Sequence, residues 1–176
     1  FLTKKLNAAK HQPKLEPKDV VLYGFGRIGR LVARELMGKS GSGSQLRLRA
    51  IVTRGKITPT ILEKRAALLR SDSVHGDFPG TVRVDTKSQA LNINGMTVFI
   101  ISAANPEDID YTAYDINEAL IIDNTGAFRD QEALQRHLTA KGSKNVLLTA
   151  PGKGIPNIVH GVNHLEYTPE SGAIFS

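Results

Sequence analysis

From Asp19 to Arg30 the chain reads D-V-V-L-Y-G-F-G-R-I-G-R. The apolar run Val20, Val21, Leu22 precedes Gly24, Gly26 and Gly29, and Arg27 to Met37 then carries a helical pattern. Strand, glycine turn and helix in that order restrict the fold more than any other stretch. A buried dinucleotide pyrophosphate is a dianion, and the N–H groups at a helix N-terminus reach it only where the chain approaches closely. In that reading Gly24 permits the tight turn, Gly26 leaves room for phosphate, and Gly29 lets the helix lie against its strand. The alternative is a glycine-rich turn of an ordinary α/β protein, and the flanking strand and helix favour the dinucleotide reading.

A chain of 176 residues suffices for one domain with a sizeable core. No apolar run approaches the length of a membrane span. Phe1 stands first, and Ser176 follows the apolar Ala173-Ile174-Phe175, so both ends read as cut from something longer. The absence of cysteine removes disulfides, thiolate metal sites and cysteine nucleophiles, and fits an intracellular, cytoplasmic protein. Much of the net charge of +6 lies in Lys4, Lys5, Lys10, Lys14 and Lys18. Residues 1–18, with Pro13 and Pro17 and no sustained amphipathic period, read as an N-terminal extension, a short helical turn or disordered lead-in. Lysine in place of arginine, with no serine, argues against a transit peptide.

Beyond the first helix, Gly38 to Ser44 reads as a loop, Leu46 to Thr53 as a second strand, and Pro59 to Arg70 as a helix with Pro59 in its first turn. Thr81 to Ile101 changes to short alternating runs broken at Lys87-Ser88 and Asn94-Gly95, the pattern of an inserted antiparallel hairpin. Ala119 to Asp123 and Asn145 to Thr149 read as buried strands, with a helix over Asp130 to Lys141 between them. The sum is an α/β, Rossmann-type, mostly parallel doubly wound sheet over residues 19–176, with no internal repeat and no second domain.

Open parallel sheets bind ligands beyond the carboxyl ends of their strands. The candidates are therefore Gly24 to Gly29, Thr53 and Arg54, Asn124-Thr125-Gly126, and Thr149 to Pro151. Threonine and glycine also simply terminate strands well, but their recurrence on one edge points to a cofactor. The second strand ends in Val52-Thr53-Arg54, where selectivity for the unphosphorylated cofactor usually requires Asp or Glu at the ribose 2′-hydroxyl. Thr53 can donate to a 2′-phosphate and Arg54 can form charge-assisted bonds to it, each worth roughly 1.5–3 kcal/mol. Both NAD and NADP thus stand as cofactors, with Arg54 as an ordinary solvated arginine the competing reading.

Asp72-Ser73-Val74-His75-Gly76 juxtaposes acid, hydroxyl and imidazole, but catalytic triads are assembled by the fold and not by adjacency. His75 is read as a turn residue. His11, His137, His160 and His164 lack metal-ligand spacing, so no metal site is assigned. Arg47, Arg49, Arg54, Arg65 and Arg70 form a basic cluster without an aromatic platform, which argues against nucleic acid as a partner.

Several stretches resemble one family. They are Gly24-Phe25-Gly26-Arg27-Ile28-Gly29-Arg30, the run S-D-S-V-H-G-D-F-P-G-T-V from Ser71 to Val82, Asn124-Thr125-Gly126-Ala127-Phe128, Leu148 to Pro151, and Gly161-Val162-Asn163-His164. In this order they are similar to the N-terminal half of phosphorylating glyceraldehyde-3-phosphate dehydrogenases. The resemblance implies NAD(P)-dependent aldehyde oxidation coupled to phosphorylation, in glycolysis or gluconeogenesis, by a cytoplasmic homotetramer acting on glyceraldehyde 3-phosphate and phosphate. By position it implies Arg27 and Ile28 at the pyrophosphate, Thr53 at the adenosine ribose, Thr125 and Gly126 along the cofactor, and Thr149 near the nicotinamide.

The family's nucleophilic cysteine lies in an S-C-T-T-N segment a few residues past the position of Ser176, and its activating histidine lies further on. Neither is in this chain, so the 176-residue piece is expected to be inactive by itself. Tyr23 replaces a usual asparagine, Thr53 the ribose-binding aspartate, and Ala104 an arginine. These departures mark a divergent member. They keep open a second reading, an enzymatically silent NAD(P)-binding regulatory module of the same ancestry.

Overall fold

Strand β1 (Lys18–Tyr23) lies in the middle of the sheet, and its alternating side chains serve two cores. Val20 and Leu22 join Ala33, Met37, Leu62 and Leu69 on one face, while Val21 and Tyr23 join Ile121, Leu134 and Val146 on the other. Because both faces are covered, the strand is apolar throughout instead of alternating with polar residues. Val20, Val21 and Leu22 have no exposed surface, and each such burial is worth about 1.5–3 kcal/mol. The computed structural model describes residues 17–40, 45–167 and 172–176. Residues 1–16 of the anticipated extension and 41–44 of the anticipated loop lie outside the described residues.

The glycine turn leads into α1 (Arg27–Gly38), then β2 (Leu46–Thr53) and α2 (Pro59–Arg70). Gly29, Ala33 and Met37 form the buried stripe of α1, and Leu62, Ala66 and Leu69 that of α2. Thr58 starts α2: its Oγ1 accepts from the Ile61 N–H at 3.2 Å, and Pro59 occupies the first turn, where a missing donor costs nothing. The two-residue strands β3 (Ser71–Asp72) and β4 (Gly76–Asp77) pair antiparallel around a tight turn.

The chain continues through β5 (Val82–Asp85), β6 (Ala90–Ile93) and β7 (Met96–Ser102). The Asn94-Gly95 turn has φ of 50° and 85°, as a two-residue hairpin requires. The structure refines the hairpin reading, because β7 pairs antiparallel with β6 and also parallel with β2. Its last arm is therefore a strand of the parallel sheet.

Two short 3₁₀ turns, Pro106–Asp108 and Tyr111–Tyr114, lead to β8 (Ala119–Asp123), α3 (Gln131–Leu138), β9 (Ser143–Leu148) and β10 (Ile174–Phe175). Asp130 caps α3 by accepting from the Ala133 N–H at 2.8 Å. The helix stops at Leu138, three residues before the Lys141 anticipated from the sequence. Ser143 Oγ donates to the carbonyls of His137 and Ala140, and Gly142 turns the chain at φ 87°.

The eight-stranded sheet has the order β10-β9-β8-β1-β2-β7-β6-β5, with every pairing from β10 to β7 parallel and the β7-β6-β5 meander antiparallel. Chain progress runs from β1 to β2 and β7 on one side, then restarts at β8 on the other. The switch point lies between β1 and β8, where open α/β sheets leave a crevice.

Helix α1 sits close to β1 because Gly29 has no side chain: a Cβ there would collide with the Gly24 carbonyl oxygen, a backbone atom that cannot swing away. Gly29→Ala should therefore lower unfolding stability in urea by about 1–3 kcal/mol, as overpacking does. An unchanged midpoint would show that the helix relaxes freely.

Candidate functional site

The strand ends are tied together past the regular ladder. Gly24 N–H donates to Val52 O at 3.0 Å, Asn124 N–H to Tyr23 O at 2.8 Å, Ala103 N–H to Thr53 O at 3.2 Å, and Thr149 N–H to Asp123 O at 3.0 Å. These bonds fix the loops after β1, β2, β7, β8 and β9 at one edge of the sheet. Gly24 has φ 98°, and a Cβ on it would stand 2.7 Å from Thr125 Cγ2, so two loops meet at this glycine. Gly26 is the N-cap of α1 without a side-chain cap, and the first turn holds no acidic residue. Among the described residues, no atom lies within 4 Å of where a Cβ on Gly26 would stand. The helix N-terminus thus faces open space with its N–H groups uncapped by a side chain, the requirement for holding an anion.

A cleft of about 350 Å³ opens over the ends of β1, β2 and β8. Of the residues anticipated from the sequence, Gly24, Phe25, Gly26, Thr53, Arg54, Asn124 and Thr125 line it. Phe25 and Thr53 are buried and Arg54 is exposed. The other five lie outside this cleft. Arg27 extends its side chain toward Asp72 at 3.9 Å, Ile28 is half exposed, and Gly29 serves the helix–strand contact. Gly126 has φ 66° and its carbonyl accepts from Arg129 Nε, while Thr149 Oγ1 donates to Asp123 O at 3.0 Å.

Sequence reasoning missed Arg65, Arg30 and Ala103, which with Tyr23 and Val52 complete the lining. It also missed Asp123. This carboxylate is fully buried; Oδ1 accepts from the Thr125 N–H and Thr125 Oγ1, both at 2.7 Å, and Oδ2 lies 2.9 Å from His137 Nε2. His137, read as one of several scattered histidines, is buried on α3 as its partner. A signal was present, since an acid ending an apolar strand demands a buried partner. Its identity depended on which helix packs there.

Tyr23 presses its ring on His137 at 4.6 Å and on Phe128 at 6.0 Å, edge to face. Burial raises its phenol above the ordinary value, Asp123 adds to the rise, and the Arg54 and Arg136 charges oppose it. The hydroxyl is buried without a hydrogen-bond partner among the described residues, and so is Asn124 Oδ1.

The Asp72–Gly76 segment is built as a turn. Asp72 Oδ1 accepts from the N–H groups of Val74 and His75 and meets His75 Nδ1 at 3.1 Å, while Oδ2 faces Arg30 at 3.6 Å. Among the described residues, no group of three or more His, Cys, Asp or Glu is placed to hold a metal ion. None of their helices is long and apolar enough to cross a membrane.

A glycine turn at the switch point of a mostly parallel sheet defines the Rossmann class of α/β domain. Residues 18–131 match the family model described as glyceraldehyde 3-phosphate dehydrogenase, NAD binding domain. The chain belongs to that family. It is 55% identical over 152 residues to a glyceraldehyde-3-phosphate dehydrogenase-like protein of Pseudomonas aeruginosa, covering 86% of this chain and 33% of the relative. It is 35% identical over 158 residues to a glyceraldehyde-3-phosphate dehydrogenase of Chlamydia pneumoniae, covering 89% and 43%. With the chloroplastic dehydrogenase A of Zea mays it shares 36% over 156 residues, covering 88% and 36%. The chain therefore spans less than half the length of each of these relatives.

Hydrogen bonds from the Val74 N–H, the His75 ring and the His75 N–H hold the Asp72 carboxyl well below the usual carboxylate range, and the Arg27 charge adds to them. A carboxyl depressed in the folded state contributes stability above its unfolded pKa of about 4 and loses it as pH falls toward the folded value. The stability deficit of Asp72→Asn against the parent chain should be largest near neutral pH and shrink below about pH 4. Urea midpoints at stepped pH measure it, and a deficit independent of pH would contradict the assignment.

Proposed function

We propose that this chain is the cofactor-binding part of an NAD(P)-dependent glyceraldehyde-3-phosphate dehydrogenase, which oxidises the aldehyde and couples oxidation to phosphorylation. The observation that carries the reading is the space at Gly26, which no protein atom fills although the backbone there could bear a side chain. In this reading the Gly24-Phe25-Gly26 turn and the first-turn N–H groups of Arg27 and Ile28 hold the pyrophosphate, with Gly29 keeping α1 in place. Thr53 and Arg54 face the adenosine ribose. Asn124, Thr125 and Gly126 continue along the cofactor, and Thr149 lies toward its nicotinamide end.

When bound, the nicotinamide supplies the hydride acceptor. The residues of this chain bind and orient it: Asp123 fixes the Thr125 turn, and the strand-end hydrogen bonds hold that turn against Gly24. The nucleophile, its activating base and the aldehyde site belong to the part of such enzymes that this chain lacks, so the chain alone is inactive. The full enzyme is, on this proposal, a cytoplasmic homotetramer using glyceraldehyde 3-phosphate and phosphate in glycolysis or gluconeogenesis.

Gly26→Ala tests the cradle. A methyl group there meets no described protein atom, so stability should fall by no more than the roughly 1 kcal/mol of a glycine-to-alanine N-cap change, while NAD affinity by calorimetry falls at least about tenfold. Undiminished affinity would place the pyrophosphate elsewhere. The chain also tolerates NADP, because Thr53 and Arg54 replace the acid that would repel a 2′-phosphate. NAD binding at least about tenfold tighter than NADP, in a ratio that Arg54→Ala leaves unchanged, would remove that part of the proposal.

A further inference from the structure

We infer that the cleft selects a 2′-phosphorylated adenosine, and that Arg65 of α2 acts with Arg54 as the second cationic arm on the phosphate monoester. This rests on the dinucleotide reading above and sharpens it from tolerance to selection, with a specificity residue that no sequence motif marks.

The distribution of arginine partners carries the inference. Arg47 and Arg49 pair with Asp19, Arg136 with Glu107, and Arg70 bonds Val82 O and Glu63. Arg34 donates to Leu69 O and Gly76 O, Arg129 to Gly126 O, and Arg27 and Arg30 face Asp72. Among the described residues, only Arg54, Arg65 and Arg83 have neither an ion pair nor a side-chain hydrogen bond. Two of these three line the same cleft.

Position explains why. Helix α2 returns from the carboxyl edge of β2, so its first turns lie near that edge. Arg65 stands three residues after Leu62 and four before Leu69, on the margin of the buried stripe and half-buried. A long side chain at such a margin packs its stem on the core and presents its guanidinium at the rim. The loop between Arg54 and α2 is fastened at both ends, by Ser102 Oγ donating to Gly55 O at 2.7 Å and by the Thr58 cap. Across the cleft the lining residue from the β7 side is the small Ala103.

Among the described residues no carboxylate lines the cleft, and Thr53 occupies the β2 terminus. Two uncompensated guanidinium groups in one cleft disfavour each other and favour a dianion, which each can bind through paired N–H donors. The pyrophosphate is not that dianion, because its place is at the N-terminus of α1. The end of β2 is where dinucleotide sheets meet the adenosine ribose. A 2′-phosphate monoester there meets both arms; a 2′-hydroxyl leaves them without a partner.

Calorimetric titration of the chain with NADP, NAD, adenosine 2′-monophosphate and inorganic phosphate tests this, using the parent, Arg65→Gln, Arg65→Lys and, outside the cleft, Arg83→Gln. NADP should bind at least about tenfold tighter than NAD. Arg65→Gln should weaken NADP and adenosine 2′-monophosphate by about tenfold or more and NAD by less than about twofold, with Arg65→Lys intermediate and Arg83→Gln silent. The logarithmic salt slope for NADP should also flatten in Arg65→Gln, with an unchanged thermal midpoint showing that the variant is folded. NAD binding with a ratio to NADP that Arg65→Gln does not move overturns this inference and leaves the dinucleotide reading standing. Inorganic phosphate binding as tightly as adenosine 2′-monophosphate overturns it in favour of a bare anion site. Binding of neither dinucleotide overturns both.

Discussion

A carboxylate sealed from water has to be satisfied by protein, and Asp123 is satisfied by the elements that shape the cleft. One oxygen takes both donors of Thr125, the other faces His137 of α3, and the backbone carbonyl takes both donors of Thr149. One residue at the end of β8 therefore sets the turn that touches Gly24, the exit of β9 and the rotation of α3. An unpaired charge in that position would cost several kcal/mol, which ties the geometry of the loops to the packing of the helix beneath them.

The second constraint is a close backbone approach. Gly29 lets α1 settle on Gly24, and this brings the uncapped first turn of α1 to the switch point between β1 and β8. Within one motif the two glycines differ: packing demands Gly29, whereas among the described residues no atom lies within 4 Å of where a Gly26 Cβ would stand. The first serves the fold, and the second leaves the space on which the proposed cofactor site depends.

Charge follows the same logic. Most of the described arginines are held by a carboxylate or by carbonyl oxygens of the protein, and Asp72, facing Arg27 and Arg30 of α1, is hydrogen-bonded by its own turn. What remains at the cleft is positive. Tyr23 borders this region with a buried phenol whose ionisation is held back by burial, so it brings no negative charge.

Local patterns settled α1, β2 and α2 nearly to the residue, because apolar periodicity, the Gly24–Gly29 spacing and Pro59 all act within a few residues of one another. They also placed Gly24, Phe25, Gly26, Thr53, Arg54, Asn124 and Thr125 on one edge, since in a parallel sheet every strand end falls there. Three things were decided only by tertiary structure. Strand β7 joined the parallel sheet because β2 offered it an edge; the chain turned after α3 where Ser143, arriving with β9, bonded the His137 and Ala140 carbonyls; and Arg65 reached the cleft because α2 starts from the carboxyl edge of β2. The partners of Asp123 belong with these. Sequence spacing specifies which faces are apolar and where the chain turns, whereas the pairing of a charge with His137 or the exposure of a guanidinium depends on which distant surfaces meet.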